Sequence, residues 1–222
     1  MKNCILFLHG TYPEKHIAGY RKLCRGKCTI AIDGGYSFFK KAALSPDLII
    51  GDFDSIEKFP SSLTGRTEML RYPPAKDKTD AELALEYCFE HKVRKIDIVQ
   101  PIIGEPDQFM GNLMLLTLAR RLNDKYQPEV RIINTGYEIL FLENKSKVIS
   151  GAKGDIVSII PLSPRIKLSC RGTAFPAENM PLRRGQCRGL RNRISASRAV
   201  FDITGQAFLV HQYAVNFTKK HA

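Results

Sequence analysis

Short apolar runs alternate with longer segments of helical periodicity along the first part of the chain. The runs are rich in β-branched residues, are bounded by polar or turn residues, and predict buried strands at 5–8, 29–32, 48–50 and 96–99. Between or after them, apolar residues recur at helical spacing and predict helices at 36–43, 79–91 and 108–122. Strands that alternate with helices indicate βαβ units, so we expect an α/β domain with a parallel sheet over residues 1–126.

The helical period disappears from the rest of the chain, residues 127–222. Gly, Pro, Asn and Ser turn signals separate short apolar runs there, which predict strands at 130–133, 138–142, 148–149, 156–160, 166–169, 199–203 and 207–210. The segment 176–192 is rich in Arg, Gly and Pro, and we interpret it as a long functional loop with few strand signals. The pattern therefore predicts an all-β, sandwich-like C-terminal domain.

Composition narrows the class of protein. Of the 222 residues, 44% are hydrophobic and 25% charged, which is typical of a globular chain. No apolar run approaches the roughly 20 residues of a membrane-spanning helix, and the N-terminus lacks the apolar core of a signal peptide. We therefore expect a cytoplasmic protein with no membrane partner, in which the six cysteines are reduced.

Positive charge is concentrated in the second part of the chain. The net charge is +12, and nine basic residues but a single acid, Glu178, occur between Arg165 and Arg198. Such a stretch could bind a polyanion, but Phe175 is the only aromatic residue in it, whereas stacking platforms for nucleic acid interleave several. A solvated or phosphate-facing basic surface is the preferred interpretation, and a nucleic-acid partner is not favoured.

Aspartates follow the predicted strands or begin the predicted helices in four segments. The acidic positions are Asp33, Asp52, Asp54, Asp77, Asp80 and Asp107. A single aspartate at such a position is usually a turn or capping residue. Four acidic segments are different, because the carboxyl ends of parallel strands meet at one edge of the sheet, where ligands bind. Their mutual repulsion favours a bound divalent cation, and Mg²⁺ prefers carboxylate oxygens and is often shared with nucleotide phosphates.

Other residues near these aspartates favour phosphate chemistry. Gly34 and Gly104 permit a close backbone approach, and the predicted helix starts supply N–H groups for phosphate oxygens. Lys76 and Lys78 lie in sequence where they could neutralise phosphates. A Gly-x-x-x-x-Gly-Lys-Ser/Thr loop is absent, so a Walker-type NTPase is not indicated.

Together these motifs resemble the thiamine pyrophosphokinase family. The resemblance is carried by Asp33-Gly-Gly, Gly51-Asp-Phe-Asp-Ser55, Lys76-Asp-Lys-Thr-Asp80, and Asp107-Gln108 followed by Asn112. It covers most of the chain, because the α/β-then-β order also matches. It implies an enzyme that uses Mg²⁺ to transfer a diphosphate from ATP to the hydroxyl of thiamine, works as a homodimer, and binds the nucleotide on the α/β domain and thiamine near the β domain.

The resemblance also implies roles for individual residues. It assigns Mg²⁺ binding to Asp52, Asp54 and Asp80, and places these three with Asp33 and Asp107 at the catalytic edge. The residues implied for the nucleotide site are Gly34, Asp77, Thr79, Gly104 and Gln108, and those implied for acceptor binding are Arg191 and Asn192.

Three departures from the family pattern leave alternatives open. Glu105 replaces an arginine that could contact the triphosphate, Arg191 replaces a small hydroxyl residue, and the chain has no Trp to stack on thiamine. A diphosphokinase that acts on another hydroxymethyl heterocycle, such as a pterin, is one alternative. A catalytically inactive relative that binds a nucleotide or another polyanion is the second.

Overall fold

The computed structural model of the protein describes residues 3–53, 67–74, 77–101, 104–122, 125–150 and 153–214. It divides into two compact units, Met1–Asn134 and Thr135–Ala222. The division lies after the boundary at 126 that the periodicity indicated, because the strand Glu129–Ile133 pairs in parallel with the strand Lys95–Val99 of the first unit. Periodicity alone does not show which sheet a strand joins.

The first unit is an α/β unit, as expected. Its described elements are β1 (Asn3–Phe7), α1 (Glu14–Cys24), β2 (Cys28–Ile32), α2 (Tyr36–Ala42), β3 (Leu48–Gly51), β4 (Glu68–Arg71), α3 (Asp80–Glu90), β5 (Lys95–Val99), α4 (Pro106–Leu122) and β6 (Glu129–Ile133). The four strands and three helices predicted for this region are confirmed. The sequence patterns had not indicated α1 and β4, and had placed β6 in the all-β domain.

The six strands form a parallel sheet in the order β6-β5-β1-β2-β3-β4. From β1 the chain proceeds outward through β2, β3 and β4, and then returns to the other side of β1 to form β5 and β6. The strand order therefore reverses between β1 and β5. Ligands of open α/β sheets bind outside the carboxyl ends of the strands at such a switch point.

Buried aromatic rings stabilise the packing of α1 and α2 against this sheet. Phe7 of β1 stacks on Phe38 of α2 with 4.0 Å between ring centroids, and Tyr20 of α1 meets Phe38 edge to face. All three rings are fully buried. Burial of each large side chain contributes about 1.5–3 kcal/mol, so this cluster fixes the layer beside β1 and β2.

The second unit is built from antiparallel strands. They are β7 (Tyr137–Ser150), β8 (Ile156–Pro161), β9 (Arg165–Arg171), β10 (Ala177–Arg183), β11 (Asn192–Arg193) and β12 (Arg198–Gln212). The long strand β12 pairs with β7 along its length, with β9 through its first half and with β8 through its second half. Apolar side chains from all five of the longer strands form one core, so the described part of this unit is all-β as predicted.

Two details of the predicted strands differ from the structure. The segments 138–142 and 148–149 are parts of the single strand β7, and 199–203 and 207–210 are parts of β12, where a register shift at Ile203–Gln206 interrupts the pairing. Within 176–192, which was predicted to be a strand-poor loop, Ala177–Arg183 forms β10 and pairs with β9. Only Leu182 of β10 is fully buried, and Pro181 interrupts the pattern, so this edge strand has no clear apolar alternation.

Among the described residues, no helix is both long enough and apolar enough to cross a lipid bilayer.

Candidate active site

A cavity of about 1020 Å³ lies at the carboxyl ends of β1 and β2 in the first unit. Six of the residues singled out in the sequence line it: Asp33, Thr79, Asp80, Asp107, Gln108 and Asn112. One wall is the face of α4 that runs from Asp107 to Arg121, and another is the start of α3. The structure therefore brings three of the four acidic segments together, as the strand-end argument predicted.

Asp33 has an unusual environment in this cavity. It follows β2 directly, in a single 3₁₀ turn, with a positive φ of 42°. Its Oδ1 atom is buried and has no hydrogen-bond partner among the described residues. A buried acceptor without a donor is unfavourable by roughly 1–3 kcal/mol, so this oxygen is poised to receive a ligand.

The two glycines after Asp33 are required by close packing against β1. A Cβ atom at Gly35 would lie 1.9 Å from the carbonyl oxygen of Phe7, and one at Gly34 would lie 2.0 Å from Nδ1 of His9. Gly34 is buried and is not among the lining residues. The observed reason for a glycine at position 34 is thus the approach of the His9 ring.

The start of α3 is fixed by a capping box. Thr79 Oγ1 accepts a hydrogen bond from the backbone N–H of Glu82 (3.2 Å), and Glu82 Oε2 accepts one from the N–H of Thr79 (2.7 Å). Asp80, in the first turn, is half-buried and faces the cavity wall. Lys78 points its ammonium to Glu86, at 2.8 Å from both carboxylate oxygens.

The start of α4 carries a second polar network. Asp107 Oδ1 accepts from the N–H of Gln108 (2.8 Å), and Gln108 Nε2 donates to Glu105 Oε2 (3.2 Å). One turn along the helix, Asn112 Nδ2 donates to Oε1 of the buried Gln100, which follows β5 (3.0 Å). These bonds hold the first turns of α4 at the switch point between β1 and β5.

Other predicted site residues do not line this cavity or lie outside the described residues. Asp52 is half-buried directly after β3, and Asp77 and Gly104 are exposed; none of the three is among the residues that line the cavity. Asp54 and Lys76 lie outside the described residues.

The cavity suits a divalent cation that completes its coordination with ligand oxygens. Its described lining includes four carboxylates, those of Asp33, Asp80, Glu82 and Asp107, against one guanidinium group, that of Arg121, and the imidazole of His9. Among the described residues no three His, Cys, Asp or Glu side chains stand close enough to hold a metal by themselves. This arrangement fits Mg²⁺, which typically takes one or two carboxylates and obtains its other ligands from water and phosphates.

Two further residues line the cavity, and both have a recognisable signal in the sequence. His9 follows the carboxyl end of β1, the same type of position as Asp33 after β2. Arg121 lies on α4 at helical spacing from Gly111, Met114 and Leu118, which line the same face. Both could have been found by extending the strand-end and helical-spacing arguments to basic residues.

The two residues implied for acceptor binding lie in the second unit. Arg191 and Asn192 line a cavity of about 470 Å³, together with Phe175, Arg188 and apolar core residues. The Asn192 side chain is hydrogen-bonded at both ends to the backbone of Phe175, with Oδ1 3.1 Å from its N–H and Nδ2 2.7 Å from its carbonyl. Its observed role is therefore to hold the segment that carries Phe175.

A parallel α/β unit with an acid-lined cavity at the strand switch point, followed by an antiparallel unit, is typical of the class of α/β proteins that bind small charged ligands at the carboxyl ends of the strands. The family described as "Thiamin pyrophosphokinase, catalytic domain" matches residues 21–127. A relative from Bacillus subtilis (strain 168), named thiamine pyrophosphokinase, is 29% identical over 176 residues, which cover 78% of this chain and 80% of the relative. The resemblance seen in the sequence is thus confirmed: residues 21–127 match the catalytic domain of thiamine pyrophosphokinases, which are enzymes, and the chain is similar to a thiamine pyrophosphokinase over most of its length.

Solved structures show the same fold along almost the whole chain. The thiamine pyrophosphokinase structure from Bacillus subtilis matches with a TM-score of 0.78 at 23% identity, covering 97% of this chain and 100% of the other. The structure from Geobacillus thermodenitrificans matches with a TM-score of 0.77 at 22% identity, covering 97% and 98%. The Candida albicans structure gives 0.73 at 17% identity, covering 95% and 90%.

Proposed function

We propose that the protein transfers a diphosphate group from ATP to the hydroxyl group of thiamine with the help of Mg²⁺, giving thiamine diphosphate and AMP. The observation that carries this proposal is the acid-lined cavity at the switch point, with the unpartnered Oδ1 of Asp33, in a chain that matches the catalytic domain of this family over residues 21–127. We further propose, on the resemblance alone, that the protein acts as a homodimer.

The first unit supplies groups that suit both substrates. The first turns of α3 and α4 line the cavity, and helix N-termini supply backbone N–H groups that bind phosphate oxygens. Arg121 supplies a positive charge on the α4 wall. The excess of carboxylates lowers the electrostatic potential of the cavity and attracts a cation such as thiamine. A carboxylate of the cavity would accept the proton of the thiamine hydroxyl.

Asp80 from the cavity wall, with Asp52 and Asp54, is the set that we propose for Mg²⁺. When bound, the ion would neutralise charge on the ATP phosphates and on the leaving AMP. Asp33 and Asp107 belong to the same catalytic edge. We keep five residues as proposed members of the nucleotide site, either because a glycine permits close approach of the backbone or because the residue lies at the start of α3 or α4: Gly34, Asp77, Thr79, Gly104 and Gln108.

The nucleotide product tests the reaction type. The thiamine hydroxyl attacks the β-phosphorus of ATP, and the bond between this phosphorus and the oxygen that bridges it to the α-phosphate breaks, so AMP is released. Transfer of a single phosphoryl group would release ADP instead. We therefore expect AMP in a one-to-one ratio with thiamine diphosphate when the protein is incubated with ATP, Mg²⁺ and thiamine and the products are separated by ion-exchange chromatography. Stoichiometric ADP would contradict the proposal.

A second acceptor class is supported by one observation. Arg188 and Arg191 both line the cavity of the second unit, and two positive charges there are unfavourable for a cationic acceptor. A neutral hydroxymethyl heterocycle, such as a pterin, is therefore the second candidate. The same AMP assay with a pterin in place of thiamine distinguishes the two acceptors.

Glu105→Arg is expected to lower the KM for ATP by about three- to tenfold with little change in kcat. Glu105 contacts the side chain of Gln108, which lines the cavity, so the substitution replaces a negative charge near the phosphates with a phosphate partner. The matched control is Glu90→Arg, which makes the same charge change at the opposite end of α3 from Asp80. Steady-state kinetics at varied ATP concentrations measure the KM of each variant. A KM of Glu105→Arg equal to or higher than that of the unmodified protein would contradict a phosphate site beside position 105.

A further inference from the structure

The outer face of strands β9 and β10 carries a row of cations, which we call the basic face. It is formed by Arg165, Lys167 and Arg171 of β9 and Arg183 of β10. We propose that the basic face binds a nucleic-acid duplex through its phosphate groups, without recognition of the bases. None of the four residues is among those that line the catalytic cavity or the cavity of the second unit, so the inference does not rest on the proposed transfer reaction.

The alternation of β9 places its cations on one side of the sheet. Ile166, Leu168 and Cys170 are buried in the core of the second unit, and the residues between and beside them point outward. With a rise of about 3.4 Å per residue, the row from Arg165 to Arg171 extends over about 20 Å. Each strand of a duplex carries one phosphate per about 3.4 Å of helix axis, so the row is long enough to contact several phosphates.

The register between the two strands adds a pair of like charges. Arg183 lies directly opposite Arg165 in the antiparallel ladder, one cross-strand pair away from Pro181 and Lys167 by way of a buried pair. Like charges directly opposite each other are destabilising. Among the described residues, the side chains of Arg165, Lys167 and Arg183 have no hydrogen-bond or ion-pair partner. An anion between them removes the repulsion, and guanidinium groups bind phosphate through strong, often bidentate hydrogen bonds.

Acidic groups compensate little of this charge. Asp202 of β12 lies 3.7 Å from Arg171, and both side chains are exposed, so the pair is weak. Glu178 is the single acid of β9 and β10, and it lies where the pairing of the two strands is interrupted. The whole chain has a net charge of +12, and its long-range field also attracts a polyanion.

Protection of a sheet edge explains only part of this pattern. Charged residues on an edge strand prevent its pairing with another chain, and Arg183 lies on the edge strand β10. Arg165 and Lys167 lie instead on β9, which pairs with β10 on one side and with β12 on the other. These two cations protect no edge, so another reason for their position is required.

The polar character of the basic face favours a duplex over other polyanions. Protein–protein interfaces have an apolar and aromatic core, and surfaces that bind membranes insert apolar side chains, whereas protein–DNA interfaces are polar and positively charged. β9 and β10 contain no aromatic residue, which disfavours a single strand because single strands are bound by stacking. A duplex keeps its bases stacked inside and presents its phosphates, so the argument from missing aromatic residues does not apply to it.

Fluorescence anisotropy of the full chain with a short, labelled DNA duplex tests this inference. We expect binding at about 50 mM salt that weakens as salt is added, with a slope of log K against log salt of about −3 to −4, because each of four phosphate contacts contributes about −0.9. Two duplexes of unrelated sequence should bind equally, and their separated strands more weakly. Absence of binding, a slope near zero, a preference for one sequence or tighter binding of single strands would overturn the inference.

Variants locate the binding on the protein. Replacing the three cations without a partner by glutamine should lower the affinity about tenfold or more and reduce the magnitude of the slope by about three. The matched control removes two arginines and one lysine from exposed positions at the end of α1, and it should keep both quantities: Arg21→Gln, Lys22→Gln and Arg25→Gln. Thermal unfolding checks that both triple variants fold, and the single change Lys167→Glu replaces the first triple if it does not. An equal loss in the control, or none in the basic face, would show that the site is not here.

Two further measurements separate this partner from others and from the transfer reaction. Poly-L-glutamate should compete poorly with the duplex, because a duplex carries one charge per about 1.7 Å of axis, about twice the density of an extended polypeptide. Equal or better competition would identify an acidic polypeptide as the partner, and the inference would fail. The rate of AMP release should be the same in the unmodified protein and in the variant without the three cations, since none of them lines a cavity. A lower rate would place these residues in the transferase site and overturn their assignment to a separate surface.

Discussion

Asp80→Asn is expected to lower kcat for AMP release by about 100-fold or more, with a much smaller change in the free energy of unfolding. Asp80 lines the acidic cavity from the first turn of α3, and the substitution removes its charge at nearly constant volume. A group that stabilises charge mainly in the transition state affects kcat more than substrate binding. Initial rates at saturating ATP, Mg²⁺ and thiamine measure the effect.

The fold should tolerate this change because the helix start does not depend on Asp80. The capping box is formed by Thr79 and Glu82, and asparagine at the next position leaves both hydrogen bonds in place. Glu90→Gln is the matched control, since it removes a carboxylate from the exposed opposite end of the same helix. If Asp80→Asn kept full Mg²⁺-dependent AMP release, its assignment to the metal would be wrong.

Asp33→Asn provides an independent test of the same edge. Asparagine is among the residues that tolerate the positive φ observed at Asp33, so the backbone of the turn should be preserved. The buried Oδ1 without a partner would then lose its negative charge. We expect both Asp33→Asn and Asp80→Asn to lose activity while their melting temperatures stay unchanged. This result would show that the cavity lined by both residues is where the reaction takes place.

Asp97→Asn is expected to give the largest loss of stability, about 3–5 kcal/mol in the free energy of unfolding. Asp97 is fully buried in the middle of β5, where Oδ2 accepts from Lys27 Nζ (2.7 Å) and Oδ1 from Arg131 Nε (2.6 Å). The neutral amide leaves two largely buried cations without their counter-charge. Chemical denaturation followed by circular dichroism measures the difference.

The same carboxylate makes stability depend on pH in a defined direction. Burial alone would raise the pKa of Asp97, but the hydrogen bonds and charge of Arg131, with those of Lys27, outweigh it and lower the pKa. A pKa that is lower in the folded than in the unfolded state stabilises the fold above the unfolded-state pKa, and this contribution is lost as the pH falls through the folded-state pKa. The unmodified protein should therefore lose stability below about pH 4, and Asp97→Asn should lack this component.

Asp202→Asn is the comparison for the stability effect. Asp202 is partly exposed and lies 3.7 Å from Arg171, and exposed ion pairs contribute about 0–1 kcal/mol. The two aspartates thus differ both in burial and in the number and closeness of their cationic partners. If Asp97→Asn destabilised the protein no more than Asp202→Asn does, the buried ion pairs would not have the stabilising role assigned to them.

Much of the first unit could be predicted because its strands are buried on both faces. Strands such as 29–32 and 48–50 stand out as short apolar runs, and the capping box of α3 is visible as Thr79 followed by Glu82. β4 could not be found in this way: its residues Glu68–Arg71 are largely exposed, and it is a strand only because it pairs with β3 at the sheet edge. In α1 the N-cap position is Pro13, without a side-chain cap, so its start carries no signal.

The sequence by itself determined which acidic residues meet at one edge of the sheet, because strand ends and helix starts are local features and parallel strands place them on one side of the sheet. Asp33, Asp80 and Asp107 meet in one cavity for this reason. Only the tertiary structure decided which residues from distant segments of the chain contact one another. Asp97 forms its ion pairs with Lys27 and Arg131, which are 70 and 34 residues away in the chain, and Asn192 holds Phe175 across 17 residues. Such pairs depend on strand order and register, which a local pattern of apolar and polar residues does not specify.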